Sequence, residues 1–102
     1  MGEKLKTILT DDDIKRIHVK DREHVEINVH GMTRREAARF IKNIIVLQDG
    51  SNGFALTVIH GYNNGHAIKS MLERKSLHPR ITEITPARHN PGVTTLSVAA
   101  IK

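Results

Sequence analysis

The chain has 102 residues, a length that makes one core, burying roughly 60–65% of the unfolded surface, and leaves no chain for a second. Only Phe40, Phe54 and Tyr62 are aromatic and there is no cysteine, so Ile, Val, Leu and Ala must build the core, a base-stacking aromatic platform is not to be expected, and disulfides, thiolate nucleophiles and Cys-ligated zinc are excluded. Lys and Arg number 16 against 11 Asp and Glu, a formal charge of +5, which favours a polyanionic partner, although a charge of this size also serves solubility alone.

Residues 1–22 mix Leu5, Ile8, Leu9, Ile14 and Ile17 with charges and read equally as an N-terminal arm or as a short helix capped by Thr10 or Asp11. From His24 to His30 the sequence alternates, with Val25, Ile27 and Val29 on one side and Glu26, Asn28 and His30 on the other, the period of a half-buried strand. Gly31 ends it. Thr33 then stands three residues before Glu36, a capping box that opens a helix to about Asp49. Ala37, Ile41, Ile44, Ile45 and Gln48, widened by Phe40 and Leu47, form its apolar stripe, while Arg34, Arg35, Arg39 and Lys42 project elsewhere.

Asp49-Gly50-Ser51-Asn52-Gly53 is dense in turn formers. Phe54 to Ile59 is almost continuously apolar, as expected of a central strand covered on both faces, and it ends, as the first strand does, in His-Gly. The loop from His60 to Gly65 leads into a second helix over about 66–77 with Ala67, Ile68, Met71 and Leu72 inward, stopped by Pro79. Ile81 to Thr85 reads as a short strand, Pro86 to Gly92 as a loop and Val93 to Ile101 as a last strand. This order predicts an α/β fold, a small two-layer α/β sandwich in which two helices pack on a mixed, mostly parallel four-stranded sheet.

Parallel strands would place His30-Gly31 and His60-Gly61 together at one carboxyl edge, where open α/β sheets bind ligands. The glycines allow positive φ and close approach of backbone, and free amides ahead of a helix suit phosphate. Arg34, Arg35, His66 and Lys69 fall in the first turns of the two helices, where cations do not complement the helix dipole but would meet a bound phosphate. A His-Gly pair also makes an ordinary turn, and a basic helix face is ordinarily solvated. His18, His24, His78 and His89 read as surface residues, and no metal-binding spacing such as HExxH occurs.

Three blocks, Ile27-Asn28-Val29-His30-Gly31-Met32-Thr33 with Glu36-Ala37, Val58-Ile59-His60-Gly61 with Gly65, and Asn90-Pro91-Gly92-Val93-Thr94, together resemble a Smr (small MutS-related) domain across roughly residues 24–102. The resemblance implies a sandwich similar to the C-terminal domain of translation initiation factor 3. It also implies binding of DNA or RNA, with nicking endonuclease activity in several members. The family's first motif, Leu-Asp-x-His-Gly, falls on Ile27 to Gly31, with Asn28 in place of the acid. Its second, His-Gly-x-Gly-x-Gly, falls on His60 to Gly65, with Asn63 in place of the middle glycine; Asn tolerates the left-handed conformation comparatively well. Asn90 and Gly92 match the terminal loop.

A nuclease reading makes His30 and His60 base and acid about a scissile phosphodiester, with Arg34 or Arg88 and the Gly61 to Gly65 amides stabilising developing charge. Two imidazoles suit RNA, whose 2′-hydroxyl is an internal nucleophile. An amide at 28 does not replace a carboxylate base or metal ligand, and Glu26, two residues earlier on the same face, is the substitute the sequence offers. The residues call for no cofactor, and a divalent metal such as Mg or Mn is left open. The alternatives are a non-catalytic nucleic-acid or protein-binding module and a binder of a small phosphorylated ligand. With no apolar run near the ~20 residues of a membrane span, the expectation is a cytoplasmic protein with no membrane partner, monomeric or weakly self-associating.

Overall fold

The computed structural model describes residues 9–47, 53–61, 66–73 and 77–100. In chain order they form α1 (Asp11–Lys15), β1 (Ile17–Asp21), β2 (His24–Asn28), α2 (Arg34–Leu47), β3 (Phe54–Ile59), α3 (His66–Glu73), β4 (Ile81–Pro86) and β5 (Val93–Val98). The strands make one sheet in the order β1-β2-β3-β5-β4.

The sheet corrects two expectations. It has five strands rather than four, because residues 17–21, read as arm or helix, form an antiparallel hairpin with β2, Ile17 facing Ile27 and Val19 facing Val25. Nor is it mostly parallel. Only β2 and β3 run together, with Val25 opposite Leu56 and Ile27 opposite Val58. β5 inserts antiparallel between β3 and β4, with Leu56 opposite Leu96 and Leu96 opposite Ile84. A hairpin joins β4 and β5 through residues 87–92, and once β5 lies beside β3 that hairpin fixes β4 outside it.

Each helix has a local cause. Thr10 caps α1 through its hydroxyl, which accepts from the Asp13 N–H (3.1 Å), while the Asp13 carboxylate accepts from the Thr10 N–H (3.2 Å). The capping box read at Thr33 and Glu36 is present in α2: Thr33 N–H donates to Glu36 Oε1 (2.9 Å) and Glu36 N–H to Thr33 Oγ1 (3.1 Å). Hydrogen bonding of the carboxylate to the Thr33 backbone and then to its side chain, followed by the charges of Arg16 and Arg39, holds the Glu36 carboxyl below its ordinary pKa. Replacing Thr33 by Ala is expected to cost about 1 kcal/mol by freeing an amide of the first turn, read as a shift of the urea midpoint with unchanged slope. An unchanged midpoint would show that water caps the helix equally well.

Ala37, Phe40, Ile41, Ile44, Ile45 and Leu47 of α2 and Ile68 and Leu72 of α3 are buried against Val25, Ile27, Leu56, Val58, Leu96 and Val98 of the sheet. Arg34, Arg35, Arg39 and Lys42 are exposed, as read from the pattern, and Gln48 lies outside the described residues. Ala67 is exposed rather than inward, since a helix seated through Ile68 and Leu72 turns its neighbour away. The other sheet face is not covered by any described element. Along β3, Phe54, Leu56 and Val58 are buried while Ala55, Thr57 and Ile59 are half-buried, so the expectation of a strand covered on both faces gives way to alternation that small Ala and Thr side chains disguised in the sequence. The packing is therefore one layer of helices on one face of a mixed sheet.

Candidate functional site

The site forms where the sheet delivers four chain segments to one edge. β2 and β3 run in parallel and end there, and the β4–β5 hairpin turns there because β5 starts opposite the end of β3, with Val93 facing Ile59. β1 begins at the same edge, with Ile17 facing Ile27. The loops after β2 and β3 are stitched to their neighbours by backbone bonds: Val29 N–H donates to the Ile59 carbonyl (2.9 Å), and His60 and Gly61 both donate to the Gly92 carbonyl (2.9 and 3.1 Å).

Glycines set how closely these segments approach. Gly31 and Gly61 have φ of 87° and 85°, in the left-handed region. A Cβ at Gly61 would fall on Cδ2 of the His30 imidazole, and a Cβ at Gly92 would come within 3.1 Å of the Gly61 carbonyl carbon. The His30 ring thus rests on Gly61 and Gly61 on Gly92. A tight stack across three loops results. Asn90 shapes the last of them: its Oδ1 accepts from the Gly92 N–H (3.0 Å) and its carbonyl from the Val93 N–H (3.1 Å).

The two histidines have different surroundings. His30 is exposed. His60 is 2% exposed, with Nε2 2.9 Å from Thr94 Oγ1 and Nδ1 3.1 Å from the Gly61 carbonyl. A carbonyl only accepts, so Nδ1 carries a hydrogen, and in the neutral ring Nε2 accepts from the threonine hydroxyl. The arrangement in which both imidazoles flank a substrate as base and acid is therefore not formed in this structure. His60 points into the helix-covered layer because its position continues the inward series Phe54, Leu56, Val58. Its ring ties the end of β3 to β5.

Asn28 is exposed, and its Oδ1 accepts from the His30 N–H (2.9 Å). That turn needs only an acceptor oxygen, so an amide serves as well as a carboxylate, without placing a negative charge beside His30. Glu26 pairs with Lys20 at 3.2 Å on the uncovered face.

Two residues that carry this geometry were not singled out from the sequence. Arg16 Nη1 donates to the carbonyls of Asn28 (3.1 Å) and His30 (3.0 Å), while the Asn28 N–H donates to the Arg16 carbonyl (2.9 Å). Nothing in the sequence ties position 16 to 30 until β1 is recognised as a strand. Thr94, fully buried, did carry a signal, as a polar residue on the apolar side of an alternating strand.

Arg34 and Arg35 are exposed in the first turn of α2, and Arg88 and His89 are exposed in the loop before β5. Lys69 is half-buried one turn into α3, and His66 opens that helix, its side chain outside the described residues; Tyr62, Asn63 and Gly65 also lie outside them. Of the histidines read as surface residues, His18, His24 and His89 are exposed. His78 is half-buried, its Nδ1 accepting from the Arg80 N–H (3.1 Å), and burial, with the nearby charges of Arg80 and Lys42, lowers its pKa.

Among the described residues no three His, Asp or Glu side chains converge on a point that would hold a metal ion. No described helix is long and apolar enough to cross a membrane. Comparison with family models, curated proteins and solved structures finds no match for this chain.

Proposed function

We propose that the protein is a nucleic-acid-binding domain of the Smr type, with a sandwich of the kind found in the C-terminal domain of translation initiation factor 3, and that it grips the phosphodiester backbone at the edge where His30, Gly61, Gly92 and Asn90 meet. The observation that carries the reading is the exposed His30 imidazole seated on the Gly61–Gly92 stack, with the exposed cations of Arg34, Arg35 and Arg88 on the flanking segments. Glycine backbone without side chains lets a sugar-phosphate chain approach closely, and arginine forks match phosphate oxygens. Binding ranks above cleavage because only one imidazole of the pair faces solvent. Cleavage would rest on His30 as the proton acceptor from an RNA 2′-hydroxyl, whose oxygen bonds to the adjacent phosphorus as the bond to the 5′-oxygen breaks, leaving a 2′,3′-cyclic phosphate and a 5′-hydroxyl protonated from water, a step that requires no metal.

Retention of an end-labelled hairpin RNA and a branched DNA, measured from 50 to 200 mM salt, tests this. Binding should weaken steeply with salt, and Arg34→Ala with Arg35→Ala should make the dependence shallower by about 0.7–0.9 in logarithmic slope for each phosphate that is no longer neutralised. His30→Ala should abolish any cleavage without changing the fold. A salt-independent Kd, or stabilisation by mononucleotides but not by oligonucleotides, would point instead to a small phosphorylated ligand.

A further inference from the structure

We propose that Arg16, outside the segment that carries the sequence motifs, belongs to this site as a phosphate-binding and positioning residue; the inference rests on the nucleic-acid reading above. Arg16 spends a single terminal nitrogen on the loop, Nη1 bonding both the Asn28 and the His30 carbonyls. Those two carbonyls bracket Val29, whose side chain is buried, so the guanidinium fixes the backbone of the residue that carries the exposed imidazole.

Among the described residues the rest of the guanidinium is uncommitted. Among the described residues Nε and Nη2 have no protein acceptor, and no carboxylate lies within ion-pair distance of Arg16. Carbonyl oxygens accept its hydrogens but bring no full negative charge, so among the described residues the cation is held in place without a direct ion pair. Glu36, which feels the charge of Arg16, has its Oε1 bonded to the Thr33 N–H. A half-buried fork held by Nη1 beside the His30 backbone, with Nε and Nη2 left over among the described residues, is an arrangement suited to recognising a phosphate in bidentate fashion. Lysine, with one compact ammonium, cannot hold two carbonyls and present a planar pair of donors at once.

The test measures retention of the same hairpin RNA and branched DNA against salt for the wild type, Arg16→Ala, Arg16→Lys and Lys15→Ala, each checked for folding by circular dichroism. Lys15 is exposed on α1, and its replacement removes the same formal charge. Arg16→Ala should weaken binding roughly tenfold, as expected for one charge-assisted hydrogen bond, and reduce the logarithmic salt slope by about 0.7–0.9. Arg16→Lys should keep the slope but lose affinity severalfold and shift the His30 imidazole proton resonances. Lys15→Ala should change neither the affinity nor those resonances. If Arg16→Ala binds with wild-type slope, or Lys15→Ala weakens binding as much, Arg16 is only a structural brace or a diffuse charge and the proposal is overturned while the nucleic-acid reading stands. Should Arg16→Ala fail to fold, Arg16→Lys decides alone: wild-type affinity with unmoved His30 resonances overturns the proposal. A wild type that retains neither probe ends the nucleic-acid reading and this inference together.

Discussion

Gly61→Ala is expected to destabilise the protein by about 1–2 kcal/mol, the cost of forcing a side chain into the left-handed region, and to push the exposed His30 ring from its seat. Its Cβ would occupy the position of the His30 ring. Gly31→Ala is the control, since Gly31 shares the positive φ yet has nothing within 4 Å of its Cβ position; it should cost only the backbone strain of about 1–2 kcal/mol. Urea denaturation gives both numbers, and the His30 imidazole resonances show whether the ring has moved. An unmoved ring in Gly61→Ala would mean that His30 is not packed on Gly61 in solution.

His60→Ala should act on stability where His30→Ala acts on function. Removing a buried ring leaves a cavity and takes the imidazole from the Thr94 hydroxyl inside the fold, together worth about 2–4 kcal/mol. Replacing exposed His30 should cost less than about 0.5 kcal/mol while weakening nucleic-acid binding or abolishing cleavage. A double replacement would mix the two effects, so the single variants are the informative ones, compared at a temperature where both remain folded. A stable His60→Ala with abolished binding would show that His60 turns outward to meet the ligand, the reverse of its seat against Thr94.

Side-chain periodicity carried the elements built on strong patterns. The alternation at Val25 and Ile27, the capping box at Thr33 and Glu36, and the stripe from Ala37 to Ile45 place β2 and α2 close to their observed bounds. β1 escaped because its alternation is carried by Ile17 and Val19 alone, with Val19 63% exposed, a weak apolar signal for an edge strand. Strand order was hidden for a different reason: pairing between β3 and β5 is a long-range choice that local sequence does not encode. The meeting of His30 with Gly61 was legible from two His-Gly pairs ending parallel strands, whereas Asn90 and Gly92 entered only through the family resemblance. The inward turn of His60 was written in its even spacing from Phe54, Leu56 and Val58, but a His-Gly pair drew the reading toward solvent. Arg16 had no local signature, because its bonds cross a hairpin whose first strand was not recognised.

The arrangement of two sequence-local hairpins around β3 bears on how the chain reaches its native state. β1 with β2 and β4 with β5 each close over a short turn and lose little chain entropy, whereas β3 must find β2 and β5, both remote in sequence, before pairing with them rewards it. The hairpins carry separate shares of the site, Arg16, Asn28 and His30 in one and Asn90, Gly92 and Thr94 in the other, and only β3 with His60 and Gly61 joins them. Recovery of the His30 environment during refolding should therefore trail hairpin formation and coincide with the slow, rate-limiting docking of the central strand. A half-folded chain would then hold both halves of the proposed phosphate grip without being able to close it.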